Sequence, residues 1–290
     1  MRALMTRAER RSAVAAPRER DGFVSRPADV GGLRLHVRER VVPGAGAWVL
    51  LHGLAVSHRY LMPTATALRP ASLYVPDLPG FGLSGKPRAV YGPGRHAEVV
   101  AAWMDRAGLR AAGVLGNSFG SQVAVELAVR RPDLVAGLVL VGPTADPAAP
   151  DAAGQFRRWV RDLGREDPRE IAILARDVRD AGARRILGTL RRSVEHRVER
   201  RLPLVAAPVL FLRGEHDPIA PRDWLERAAA VTPRASVPRA GHNAVTTAGA
   251  QVAALATAFV APGPPPGQRS GISCSAASSA LAPPPAGPAS

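Results

Sequence analysis

The sequence predicts an α/β fold built on a mostly parallel sheet. Three observations carry this. Short apolar runs alternate with amphipathic helical stretches, as they do when helical crossovers join parallel strands. Several of these runs are continuously apolar, the pattern of strands buried on both faces. The run AAGVLGNS leads through a glycine-rich turn directly into a helical stretch.

The elements follow in chain order. GLRLHVRERV (32–41) alternates with period two and is expected as a half-exposed antiparallel strand. AWVLLHG (47–53) is an apolar run closed by glycine and reads as a buried parallel strand. SLYVPDLPG (72–80), AAGVLGNS (111–118), LVAGLVLVGP (134–143) and APVLFLRGEHD (207–217) are the further expected strands. HAEVVAAWMDRAG (96–108) reads as a helix with Gly108 at its C-cap. SQVAVELAVRRPD (121–133) stops at Pro132 and DWLERAAAVTP (223–233) at Pro233. Residues 146–203 break the rhythm with Arg-rich amphipathic stretches such as QFRRWVRDLG and PREIAILARDV. They are expected as a helical cap inserted after the sixth strand, above the carboxyl ends where open α/β sheets bind ligands. The folded core thus divides into 22–145 and 204–261. Residues 1–21 and the Pro/Gly/Ser/Ala tail 262–290 are expected to be disordered, because such text cannot bury enough apolar area to order itself.

Composition narrows the function. The chain has 290 residues, 46% apolar, enough for one large core, and with aromatics at 4% that core must be mainly Ala, Val and Leu. The single cysteine, Cys274, lies in the tail, so no disulfide framework is possible. The N-terminal segment has no apolar signal core, and Glu9, Glu19 and Asp21 count against a transit peptide; Met5 offers a second start. No apolar run approaches the ~20 residues of a membrane helix. A cytoplasmic protein with no membrane partner is expected. The net charge of +15 comes from arginines, with Lys86 the one lysine, spread along the chain as a GC-rich codon bias would spread them. No aromatics interleave with a basic cluster, so no nucleic-acid partner is expected and a small-molecule substrate is. There is no Cys/His spacing for zinc, PGFGLSGK (79–86) lacks the P-loop spacing, and the Gly-x-Ser-x-Gly turn is not a dinucleotide fingerprint. No metal and no cofactor are expected.

Chemistry points to Ser118. In VLGNSFGSQV it stands between Gly116 and Gly120 at a strand-turn-helix junction, the context of a nucleophile elbow. Glycines are needed there because a Cβ would strike neighbouring backbone. A serine hydroxyl needs a base, and the base an orienter. His242, in PRAGHNAV near the end of the folded body, is the candidate base among seven histidines. Asp217, at the end of APVLFLRGEHD, is the candidate acid, and Asp146, after the sixth strand, is the alternative. The backbone N–H groups of Phe119 and Leu54 are candidate oxyanion donors. His52 and Gly53 support that loop, His52 as a structural hydrogen-bonding residue.

Four motifs in this order resemble the α/β-hydrolase superfamily: LLHG, VPDLPGFGLSGKP, GNSFGS and the GEHDPIAP…GHN pair. The resemblance spans about residues 25–261. It implies an eight-stranded, mostly parallel sheet flanked by helices. Finer features, GNSFG followed by RRPD and LVLVGP, resemble the meta-cleavage-product hydrolases, which cleave carbon–carbon bonds in ring-fission diketones. That group carries tryptophan after the catalytic histidine and glycine after the elbow, where this chain has Asn243 and Ser121. It also holds a substrate carboxylate with a cap arginine, for which Arg184 and Arg185 are among the candidates. Epoxide hydrolases and haloalkane dehalogenases share the fold but use aspartate at the elbow, so Ser118 argues against both. The expected function is a cofactor-independent serine hydrolase acting on small or medium esters through an acyl-enzyme. Carbon–carbon bond hydrolysis, acyl transfer, or ligand binding without catalysis are the alternatives on the same fold.

Overall fold

A computed structural model describes residues 21–149, 151–163, 168–228 and 232–260. The expected terminal segments, Asp21 apart, lie outside these residues, as does the end of the helix expected to stop at Pro233. Eight strands form one sheet: β1 (Val24–Val30), β2 (Leu33–Arg40), β3 (Ala47–Leu51), β4 (Ser72–Pro76), β5 (Ala112–Asn117), β6 (Val135–Val141), β7 (Val209–Gly214) and β8 (Arg234–Val237). Their order across the sheet is β1-β2-β4-β3-β5-β6-β7-β8. β1 and β2 are antiparallel to their neighbours at one edge, and the other strands run parallel.

The helices are α1 (His58–Ala67), α2 (Pro93–Arg106), α3 (Phe119–Arg130), α4 (Ala152–Leu163), α5 (Pro168–Ala181), α6 (Ala183–Glu195), α7 (Val198–Arg201), α8 (Arg222–Ala228), α9 (Ala244–Thr247) and α10 (Gly249–Phe259). Among the described residues no helix is long and apolar enough to cross a membrane. The continuous apolar runs are explained by burial on both faces. In β3, Val49 and Leu51 enter one core with Val100, Trp103, Phe119 and Leu127, while Trp48 and Leu50 enter the other with Leu61, Val245 and Val252.

β2 corrects one expectation. Leu35, His36, Val37 and Arg38 are all buried, so the strand is not half-exposed. It lies between β1 and β4 rather than at the edge, and the polar residues on its second face have partners: His36 binds Asp77 and Arg38 binds Ser25. The outermost strand on this side of the sheet is β1, which was not among the expected strands.

The chain leaves β3 for β4 on one side and returns to β5 on the other. That reversal opens a crevice at the carboxyl ends of β3 and β5, where open α/β sheets bind ligands. β3 ends at Leu51, just before His52, Gly53 and Leu54, and β5 ends at Asn117, just before Ser118. Among the described residues, the helices α4 to α7 lie between β6 and β7.

Candidate active site

Ser118 joins β5 to α3 with φ 54° and ψ −119°, a conformation L-residues avoid. The surroundings hold it there. Its N–H donates to the Val141 carbonyl (2.9 Å), its carbonyl accepts from Ser121 N–H (2.9 Å), and the Ser121 hydroxyl donates to the Gly116 carbonyl (2.8 Å). The Asn117 amide donates to Val141 as well (3.1 Å). A Cβ on Gly116 would stand 2.7 Å from Ser121 Cα, and one on Gly120 would stand 2.7 Å from the His52 carbonyl oxygen. Both glycines are therefore required by packing, as the sequence indicated. The Ser118 side chain makes no capping bond to α3.

Asp217 and His242 meet from separate loops. Asp217 Oδ2 lies 2.9 Å from His242 Nδ1, and both residues are buried. Asp217 Oδ1 accepts from the N–H groups of Ile219 (2.8 Å) and Ala220 (2.9 Å). Burial pushes the Asp217 carboxyl up, but the attraction and hydrogen bond of His242 and the two backbone donors outweigh it, so the group sits below its ordinary value. A carboxylate only accepts, so Nδ1 carries the hydrogen and Nε2 is the basic nitrogen of the neutral ring. Arg213 in β7 staples the Asp217 loop by donating to the carbonyls of Asp217 and Ala220 (both 3.1 Å).

Asp146 is placed otherwise. Its carboxylate accepts from Arg158 (2.8 Å), Arg227 (3.3 Å) and the Ala148 N–H (2.9 Å), and so clasps α4 to α8. His242 takes Asp217 as its partner.

His52 is fully buried and links two loops. Leu78 N–H donates to its Nε2 (2.8 Å), which makes Nδ1 the donor to the Gly53 carbonyl (2.8 Å). Burial lowers its pKa and keeps it neutral. Because the peptide group is planar, fixing the Gly53 carbonyl fixes the Leu54 N–H on the opposite side. Phe119 opens α3, so its N–H has no carbonyl within the helix to bind. Leu54, Phe119, Ser118 and His242 line one cavity of about 380 Å³. The helices α5 and α6 supply much of the remaining wall.

The other histidines have other surroundings. His36 Nδ1 and His58 Nδ1 each lie 2.9 Å from the Asp77 carboxylate, which also accepts from the N–H groups of His58 (2.7 Å) and Leu83 (2.9 Å). These three side chains, distant in sequence, offer metal-ligating atoms within 4.8 Å of one another. The sequence spacing gave no sign of this. Against burial, which favours the neutral acid, the two imidazoles hold Asp77 well below the carboxylate range. An ionised Asp77 needs both Nδ1 groups as donors, so a metal would have to displace two hydrogen bonds here. His96 is buried against Phe81, Tyr91 and Phe119, with neither ring nitrogen bonded. His196 binds Glu126, and His216 is exposed.

Two contributors had no sequence signal beyond their residue type. Gly142, at φ 53° after β6, lies against the His242–Asp217 pair: a Cβ there would stand 2.9 Å from His242 Nδ1 and 3.0 Å from Asp217 Oδ2. Tyr60 on α1 donates its hydroxyl to Asn243 Oδ1, and both line the cavity. Neither Arg184 nor Arg185 is among the described lining residues. Arg184 is exposed, and Arg185 donates to the Pro87 carbonyl (2.6 Å).

The sequence profile of the alpha/beta hydrolase fold family matches residues 47–198, just over half of the 290-residue chain. The chain belongs to this family. Among characterised relatives, a haloalkane dehalogenase of Bradyrhizobium diazoefficiens is 34% identical over 119 residues, which is 40% of this chain and 38% of that protein. A 2-hydroxymuconate semialdehyde hydrolase of Pseudomonas putida is 36% identical over 85 residues, 29% of this chain and 30% of that protein. The matches thus span less than half the length of these relatives. The crystal structure of Cfl2 from Burkholderia cenocepacia superposes with a TM-score of 0.71 at 21% identity, covering 84% of this chain and 98% of that one. At that identity the likeness shows the fold, which is the α/β-hydrolase architecture with its eight-stranded sheet.

Proposed function

We propose that this member of the α/β-hydrolase family is a cofactor-independent serine hydrolase that cleaves small or medium esters through an acyl-enzyme. The observation that carries the reading is the Asp217–His242 hydrogen bond beside a cavity that His242 shares with Ser118 at a strained turn. Ser118 Oγ attacks the ester carbonyl carbon while its proton passes to His242 Nε2. The oxyanion that forms is held by the N–H groups of Leu54 and Phe119, one such donor being worth ~100- to 1000-fold in rate. The intermediate collapses, the C–O bond to the alcohol breaks, and the alkoxide takes the proton from Nε2. Water then attacks the acyl carbonyl, gives its proton to His242, and the second collapse releases the acid and returns the proton to Ser118. Asp217 holds the ring and stabilises its cationic form throughout. Residues 146–203 serve as the cap over this site.

Ser118 also separates the reading from the dehalogenase likeness, because relatives of that kind use aspartate at the elbow. The test is intact-mass labelling with a fluorophosphonate. One adduct on the wild type, mapped to Ser118 and absent from Ser118→Ala, is expected. A folded wild-type protein that takes no adduct would overturn the reading.

A further inference from the structure

The cavity wall contributed by the helical insertion is apolar in a way its composition does not suggest. Residues 151–203 are rich in arginine, yet among the described residues no Arg, Lys, Asp or Glu lines the cavity. The stripe Ile171, Leu174 and Val178 on α5 faces it, and so does Ile186, Leu187 and Leu190 on α6. Positions 171, 174 and 178 on α5, and the neighbours 186 and 187 with 190 on α6, recur at three- or four-residue spacing, one face of each helix.

The nearby charges are turned elsewhere and occupied. Arg158 is held by Asp146 (2.8 Å), Arg201 by Glu126 (2.6 Å) and Arg185 by the Pro87 carbonyl (2.6 Å), while Asp177 on α5 is held by Arg59 (2.6 Å). Three of the polar side chains that reach the wall are engaged as well. Gln155 donates to the Ala149 carbonyl (2.9 Å), Ser193 donates to Gln122 (2.9 Å), and Tyr60 donates to Asn243.

We infer that the substrate is uncharged beyond its ester group, and that its acyl part is an apolar chain lying against α5 and α6. This inference rests on the serine-hydrolase reading. A carboxylate on the acyl chain would lose its water here and find no cation among the described wall residues, which is strongly unfavourable. The ring-fission acids implied by the resemblance to carbon–carbon bond hydrolases therefore do not fit this wall. An aliphatic chain gains with every methylene it buries, about 3- to 4-fold in kcat/KM per group.

The experiment compares two acyl chains of nearly equal length. kcat/KM is measured on 4-nitrophenyl pentanoate and on mono-4-nitrophenyl succinate, with the acetate, butyrate and hexanoate esters as a length series. Pentanoate is expected to be preferred over succinate by about 100-fold or more, as an unpaired carboxylate in an apolar site requires. From acetate to hexanoate, kcat/KM is expected to rise. Leu187→Arg supplies the missing cation at a wall position whose residue is 55% exposed, so folding is retained. It is expected to shift the preference towards succinate by about 10-fold or more. Succinate turned over as well as pentanoate by a wild-type enzyme that still labels at Ser118 would overturn the inference and leave the hydrolase reading standing. A preference unmoved by Leu187→Arg would also overturn it. No turnover of any ester together with no label on Ser118 would overturn both.

Discussion

Replacement of Gly142 by alanine tests the proposed triad without touching a triad member. The glycine follows β6 at φ 53°, and a Cβ there would stand 2.9 Å from both Cε1 and Nδ1 of His242 and 3.0 Å from Asp217 Oδ2. Relaxed contacts between such atoms are about 3.5–4.0 Å, so the imidazole has to withdraw by roughly 0.5–1 Å. The left-handed backbone adds about 1–2 kcal/mol for any residue with a Cβ. A misplacement of about 1 Å in reacting geometry costs on the order of 100-fold in rate. Gly142→Ala is therefore expected to lower kcat about 100-fold and stability by about 1–3 kcal/mol. KM is expected to stay within about 3-fold, because Gly142 does not line the cavity among the described residues. Steady-state hydrolysis of 4-nitrophenyl butyrate gives kcat and KM separately, and urea unfolding gives stability. A folded Gly142→Ala protein with kcat within about 3-fold of wild type would refute the reasoning that the His242–Asp217 geometry governs the rate.

Three further predictions rest on buried groups. His52→Leu unpairs the Leu78 N–H and the Gly53 carbonyl and frees the peptide that aims the Leu54 N–H; kcat is expected to fall up to about 100-fold with little change in KM, and equal kcat would contradict the oxyanion assignment. His96 is neutral because burial pushes it down to about 3, helped by His52 and Arg185, whereas the unfolded chain protonates near 6.5, so stability is lost as pH falls from 6.5 towards 3. His96→Phe keeps the ring contacts, and its stability relative to wild type is expected to be about 2 kcal/mol more favourable at pH 5 than at pH 7 by urea unfolding; identical differences at the two pH values would count against this. Glu126 is raised by burial but drawn down more strongly by His196, Arg130 and Arg201, to about 2, so its contribution is present above pH 4.5 and lost between 4.5 and 2. Glu126→Gln is expected to cost about 1–3 kcal/mol at pH 7, discounted for the partly exposed arginines, and to flatten the acid limb of a pH–stability curve.

The parts that were legible in sequence are those dictated by neighbouring residues. Ser118 announced itself because an apolar run, a glycine-spaced turn and a helical run stand side by side. The pairing of Asp217 with His242 could be expected because each follows a strand-like stretch in the proposed order. β1 was missed because VSRPADV is polar and holds Pro27, and only pairing with β2 makes it a strand. The buried second face of β2 was missed for a related reason: His36 and Arg38 look solvated until Asp77 and Ser25 are folded against them. Amphipathic periodicity in 146–203 marked a greasy face but could not name what that face covers. Nor could it say that Arg185 would be spent on a carbonyl. The convergence of His36, His58 and Asp77, and the approach of Gly142 to His242, are likewise products of tertiary packing.

The helix that begins beside Ser118 also moors the returning end of the insertion. Gln122 exchanges two hydrogen bonds with Ser193, at 2.9 Å each, and Glu126 binds His196 (3.0 Å) and Arg201 (2.6 Å). Positions 122 and 126 are one turn apart on α3 and share a face. The insertion is thus divisible: its apolar cavity-lining residues on α5 and α6 all precede Ser193, while residues 193–201 are tied to the core helix α3. A chimera that replaces only the part before Ser193 keeps its moorings, whereas an exchange extending through Arg201 removes His196 and Arg201 from the buried Glu126 carboxylate and leaves it Arg130 of these three partners. Transfer of specificity between family members has its natural splice point there.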